Sequence, residues 1–375
     1  RKLKDIYLVI EKVPFLAVSL FFGLMAVSVQ GGGDFGGLLS LYGEKSKAIA
    51  DAEAFTLIQR FQFASYGFIQ YILMFFNPAK ICAFYPYPVS NKMEGLSAVL
   101  YPFSAVSIIG LAIWSFLKTK IFAFGIGFYF ITIALVLQFL SVGLALMADR
   151  YSYIPYIGLA FLITFTADYW LVPKSGTLKY GWYCLVFIFI CFLGVKTKTQ
   201  VDVWQNSETL WTQAMKYYPK DDLILANRGN HRGKTGNIAG AMSDFEAAIA
   251  DGCNRADVYE GLGNSYGTMS EQQPEKRNEY IGKAISMFNK ALELEPSDGQ
   301  VRYNLGVAQL QTNPSESVKA LTEALKLMPY KEASILPVLG LSQLNSGNYQ
   351  EAINTLTKVI NAGGATDAVF YHRGL

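Results

Sequence analysis

Residues 222–254 read DLILANRGNHRGKTGNIAGAMSDFEAAIADGCN, and this stretch decides the fold of the second half of the chain. Gly229 sits on one apolar-periodic run, and Ala241, Phe245 and Ala248 sit on a second, a pattern of two antiparallel helices that touch through small residues. The same marks return with a period of about 34 residues. They are Gly263, Tyr266, Ala284, Phe288, Ala291 and Pro296, then Gly306, Leu321, Ala324 and Pro329, then Gly340, Ala352 and Leu356. A last, partial set is Ala365, Phe370 and Gly374. The second unit carries an insertion around Glu271–Glu279, and the third is shortened in its turn.

The period resembles that of the tetratricopeptide repeat (TPR), whose glycine and alanine positions let helices approach while a Phe or Leu fills the gap. The resemblance divides residues 199–375 into a leading helix at 203–218 and repeats at about 222–254, 256–296, 299–329 and 333–364, with a partial one at 367–375. Asn206 or Ser207 caps the leading helix, and Pro219 stops it. Such arrays bind an extended peptide or another protein on the inner face. Asn227, Arg228, Arg302 and Asn304, all on first helices, are candidates to line that groove, beside the plainer reading of a solvated face.

Upstream the composition changes. Residues 1–198 are mostly apolar runs, and six of them approach the length of about 20 residues that a membrane crossing needs. They are Val13–Gln30, Phe61–Phe76, Leu96–Leu117, Ile121–Leu140, Ile154–Val172 and Tyr180–Val195. The expected fold class is therefore all-α, a polytopic transmembrane helical bundle followed by a TPR solenoid. Strands are not expected among the spans, because only helices satisfy their backbone within one segment in lipid. The fourth run has no charge after Lys120 until Asp149, which allows a longer helix, a tilt or a re-entrant stretch.

Lys118-Thr119-Lys120 and residues 173–179, with Lys174 and Lys179, are short basic turns free of acids, and they place those ends in the cytoplasm. Alternation then puts the Asp149-Arg150 turn and the repeats on the extracytoplasmic side; the basic start Arg1–Lys4 argues the other way. The chain opens on Arg1 and ends inside a repeat, so part of a longer protein is expected. The formal net charge of +3 and the lack of a Lys/Arg block argue against nucleic acid as a partner. Cys82, Cys184, Cys191 and Cys253 form no paired motif, and His231 and His372 lie apart, so no metal site is expected. The glycine run Gly31–Gly37 precedes no GK[ST] and follows no strand; it reads as a turn, and Asp34 and Glu44 have no partner pattern. Asp168 reads as a snorkelling surface acid.

Chemistry is concentrated at two places. Asp149 and Arg150 form the only charged pair between Lys120 and Asp168, and a charge where two apolar segments meet is costly unless it is used. A guanidinium there suits a phosphate, while Tyr151, Tyr153 and Tyr156 offer hydroxyls and stacking faces. The plainer reading is an interfacial ion pair in an aromatic belt. Ala83–Pro88, with Tyr85 and Tyr87 alternating with prolines, is expected to be extended and stiff, as part of the same cleft or as an interfacial anchor.

Four stretches in order resemble the transmembrane and TPR-containing O-mannosyltransferases and their bacterial relatives, of the GT-C type. They are Glu11–Phe15, Ala83–Pro88, Ala148–Gly158 and Trp204–Pro219. The resemblance implies an integral membrane enzyme, of the bacterial inner membrane, with extracytoplasmic repeats. It implies transfer of a mannose-like sugar from a polyprenyl-phosphate donor to an extracytoplasmic acceptor. It implies Arg150 at the lipid phosphate with Asp149 orienting it, and Tyr151, Tyr85 and Tyr87 shaping the cleft. The family's catalytic acid lies in a loop with no counterpart here, so the catalytic residue is unassigned and a divalent metal is left open. The rival reading is a non-catalytic, membrane-anchored TPR scaffold for envelope proteins, and a third is another lipid-linked glycan enzyme such as a ligase or polymerase.

Overall fold

The computed structural model describes residues 10–30, 55–88, 93–137, 145–170, 176–364 and 366–374. Arg1–Lys4, Gly31–Gly37, Asp34, Glu44, Lys174 and Ala365 lie outside the described residues. The chain divides into two compact units that meet at Asp202/Val203, four residues beyond the change of composition at Lys198.

The first unit contains α1 (Val13–Gln30), α2 (Leu57–Phe76), α3 (Ser97–Ser115), α4 (Lys120–Ile133), α5 (Pro155–Trp170) and α6 (Gly176–Val203, whose last residue falls in the second unit). Among the described residues each expected apolar run is largely helical; the first keeps its bounds Val13–Gln30 and the others shift, the ends of the fourth and fifth (138–140 and 171–172) lying outside the described residues. The second run starts a turn earlier because Thr56 caps it reciprocally with Gln59: the Gln59 amide donates to Thr56 Oγ1 at 3.3 Å and the Thr56 amide donates to Gln59 Oε1 at 2.8 Å.

The fourth run departs most from expectation. α4 has 14 residues, about 21 Å at the helical rise, and gives way to a 3₁₀ turn at Ala134–Val136 instead of running to Leu140. Beyond residues 138–144, which are outside the described set, the chain forms β2 (Ala145–Met147), antiparallel to β1 (Tyr85–Pro86), with Tyr85 opposite Met147 and Pro86 opposite Ala145. Both short strands lie between the helical runs, and Tyr85–Pro86 is extended as expected. Alternating Tyr and Pro forbids a helix at 83–88, and the extended backbone finds its hydrogen-bond partner in the other interhelical segment.

Among the described residues, α3 and α6 are long and apolar enough to cross a membrane, while α4 and the Val13–Phe22 part of α1 are apolar but shorter. None of the side chains of α6 is buried. α4 and α5 pack closely because glycines meet: a Cβ on Gly158 would lie 2.7 Å from the Gly125 carbonyl oxygen.

The second unit opens with α7 (Ser207–Tyr217) and continues in antiparallel pairs. These are α8 (Asp222–Lys234) with α9 (Ile238–Ala250), α10 (Ala256–Gln272) with α11 (Arg277–Leu294), α12 (Gly299–Gln309) with α13 (Pro314–Leu327), and α14 (Glu332–Asn345) with α15 (Tyr349–Asn361); α16 (Asp367–Gly374) begins a further pair. In every complete pair the marked glycine of the first helix faces the bulky residue of the second: Gly229 and Phe245, Gly263 and Phe288, Gly306 and Leu321, Gly340 and Leu356. Phe245 also fills the space over Gly261 of the next pair, so successive repeats share one core. The insertion lengthens α10 and α11 to 17 and 18 residues, joined by a short 3₁₀ turn at Pro274–Lys276, and leaves the glycine contacts intact.

Candidate functional site

On the repeats, the first helices α10 and α12 are bridged by polar side chains. Asn304 Nδ2 donates to Glu260 Oε1 at 3.2 Å and to Asn264 Oδ1 at 3.0 Å. Gln300 Nε2 donates to Asn304 Oδ1 at 2.9 Å, and Lys331 Nζ donates to Gln300 Oε1 at 2.6 Å. Burial, and after it the Asp298 charge, raises the Glu260 carboxyl above its ordinary range. These amides can donate and accept at once, which is the chemistry that reads an extended peptide backbone. Sequence reasoning found Asn304 and missed Glu260, Asn264, Gln300 and Lys331. The signal was present, since 260/264 and 300/304 are each one helical turn apart on first helices.

The other groove candidates hold the repeats together. Arg228 is committed to buried Asp244 through Nε at 2.9 Å and Nη2 at 2.6 Å, and it reaches Thr212 at 3.4 Å. Arg232 completes that network, donating to Asp244 at 3.0 Å and to Glu208 at 2.6 Å. Arg302 pairs with Glu323 and donates to the Pro296 carbonyl at 2.7 Å, which ties down the turn entering its repeat. Asn227 turns back onto its own helix, donating to Leu223 O at 2.8 Å. Arg228 and Arg302 are thus both engaged by partners within the repeats.

In the first unit, Tyr85 and Asp149 come together although 64 residues separate them. The Tyr85 hydroxyl lies 2.7 Å from Asp149 Oδ1 and 2.8 Å from the Lys80 carbonyl, and it accepts from the Cys82 amide at 2.9 Å. Beneath them Tyr71 of α2 grips the backbone of Ala148, donating to its carbonyl at 2.9 Å and accepting from its amide at 3.0 Å. Ser152 caps the turn by donating to the Asp149 carbonyl at 2.7 Å. Burial raises the Asp149 carboxyl to about 7, against the lowering effects of Tyr85, the Cys82 amide and Arg150; burial likewise raises the Tyr85 hydroxyl.

No ion pair joins Asp149 to Arg150, and the carboxyl is held by Tyr85. Arg150 is exposed and lies along Tyr151, its guanidinium carbon 5.0 Å from the ring centre. Tyr153 is 79% exposed. Tyr87 packs against Phe55 and Phe63, with ring centres 5.0 and 5.3 Å away. Among the described residues no group of three or more His, Cys, Asp or Glu side chains is placed to hold a metal ion.

No family model matches the chain, and no curated protein does. The resemblance to O-mannosyltransferases therefore stands on its four stretches alone. Solved structures similar to this chain include TPR proteins and MamA. YrrB, described as a TPR protein with an unusual peptide-binding site, is 22% identical at a TM-score of 0.38, over 44% of this chain and 80% of its own. TTC0263, a thermophilic TPR protein of Thermus thermophilus, is 18% identical at 0.35, over 48% of this chain and 94% of its own. A MamA structure is 17% identical at 0.37, over 44% and 91%. The glycine contacts within the chain carry the assignment on their own: from Asp222 onward this is an all-helical array of the tetratricopeptide type.

Proposed function

We propose that the chain is a membrane-anchored scaffold whose repeats hold an extended polypeptide segment on the face of their first helices. The observation that carries this reading is the amide row Asn264, Gln300 and Asn304, which spans two successive repeats with Glu260 and Lys331 at its edges. The apolar α3 and α6 support the anchor, and the Lys118/Lys120 turn and Lys179 support an orientation with the repeats outside the cytoplasm. A photo-crosslinking amino acid placed at Val307 in the full chain tests the groove in cells. Polypeptide adducts that disappear in the Asn264→Ala/Asn304→Ala variant, with helix content unchanged, are expected. Adducts that persist in that variant overturn the reading.

A second reading, transfer of a sugar from a polyprenyl-phosphate carrier, is favoured by the Tyr85, Asp149 and Arg150 cluster, which leaves a guanidinium exposed beside tyrosine hydroxyls. Here Arg150 meets the phosphate. If Arg150→Ala leaves transfer from a polyprenyl-phosphate sugar unchanged, that role is wrong.

A further inference from the structure

The Tyr85 hydroxyl has one proton and faces two oxygens that both need it. Asp149 Oδ1 is 2.7 Å away and the Lys80 carbonyl 2.8 Å, while the Cys82 amide already donates to the same hydroxyl oxygen at 2.9 Å. With Asp149 ionised, Tyr85 serves one acceptor and turns lone pairs toward the other. With Asp149 neutral, every proton is placed: Asp149 donates to Tyr85, Tyr85 donates to Lys80 O, and Cys82 N–H donates to Tyr85. The second carboxyl oxygen points the same way. Asp149 Oδ2 is buried without a hydrogen-bond partner, which an uncharged carbonyl oxygen tolerates far better than a carboxylate does.

We propose that Asp149 is protonated in this arrangement and serves as a proton-operated latch, pinning the Lys80–Pro86 segment to the Ala145–Ser152 turn. The groups facing it are Tyr85 and Cys82 from that segment, Tyr71 from α2, Tyr156 from α5, and Arg150 and Tyr151 from its own turn. Arg150 is the only cation among them, and its exposed guanidinium lies over Tyr151, so it leaves the carboxyl to titrate within reach of neutral pH. Loss of the proton strands the Lys80 carbonyl, puts a charge against Tyr71 and Tyr156, and loosens the β1–β2 pairing. Cys82, 1% exposed beneath the latch, is then uncovered.

The test is maleimide labelling of Cys82 in the full chain in detergent, quantified peptide by peptide so that Cys184, Cys191 and Cys253 do not interfere. Rates are taken from about pH 5 to about pH 9 and divided by those of Asp149→Asn, which cancels the thiol's own pH dependence. The carboxamide of that variant donates N–H to Tyr85 as the neutral acid donates O–H, so the variant stays latched. The expected ratio is near one in acid and rises several-fold with a midpoint near 7, and Tyr85→Phe labels fast throughout. A ratio flat over the whole range overturns the latch. Should Asp149→Asn fail to fold, amide exchange of residues 80–86 in the wild type decides: protection constant through neutral pH refutes the proposal, and protection lost above it supports it.

Discussion

Phe245 offers the sharpest test of how the repeats hold together. Its ring is buried between Gly229 of its own repeat and Gly261 of the next, and a Cβ on Gly229 would come within 2.9 Å of it. Phe245→Ala removes a buried ring from a shared core and costs about 3–5 kcal/mol. Gly261→Ala forces a methyl into the ring, costing about 1–3 kcal/mol, offset by about 1 kcal/mol from better helix propensity. The net single effect is a loss of about 0–2 kcal/mol. With Phe245 already replaced by alanine the clash has no partner, and Gly261→Ala now stabilises by about 1 kcal/mol. The sign reversal amounts to a coupling of about 1–3 kcal/mol, read from urea midpoints of the full chain followed by helical circular dichroism. Equal effects of Gly261→Ala in both backgrounds refute the shared-slot reasoning.

Asp244→Ala removes a buried acid and leaves the half-buried Arg228 without its ion-pair partner, while Arg232 keeps Glu208, and costs about 3–5 kcal/mol in the same assay. Asp251→Ala, which breaks the more exposed pair with Lys220, costs less than about 1 kcal/mol. In the first unit, Gly158→Leu separates α4 from α5 and lowers the melting temperature in detergent, whereas Gly127→Leu, where a Cβ meets nothing within 4 Å, leaves it nearly unchanged. Asp149 binds its proton more tightly folded than unfolded, since its carboxyl rises from 3.8 to about 7. Stability therefore falls as pH climbs through that window and levels off above it, and Asp149→Asn flattens the slope of midpoint against pH.

The repeats are legible in the sequence because their packing is written locally. A glycine on one helix meets a Phe or Leu on the next, 15 or 16 residues on in three of the pairs, and the contact survives the insertion at 271–279 even though that stretches the spacing from Gly263 to Phe288 to 25. The commitments of Arg228 and Arg302 are not legible, because their partners Asp244 and Glu323 lie 16 and 21 residues away on helices whose relative rotation decides the pairing. The fourth apolar run reads as one span because hydropathy does not register where a chain must turn. Leu137 and Met147 both pack against Gly67 of α2, a contact between segments far apart in sequence. The sequence suggests one cleft for Tyr85 and Asp149, but the bond between them escapes, because nothing local joins residues 64 apart.

The long α10–α11 hairpin has a practical meaning. Its extra turns stack beyond the last glycine contact, so the rise from one repeat to the next is set below them and is indifferent to what the tip contains. The Pro274–Lys276 turn is thus a socket for foreign sequence: an epitope or a fluorophore-bearing loop can be carried there while the amide row, which joins Asn264 lower on α10 to Asn304 on α12, keeps its geometry.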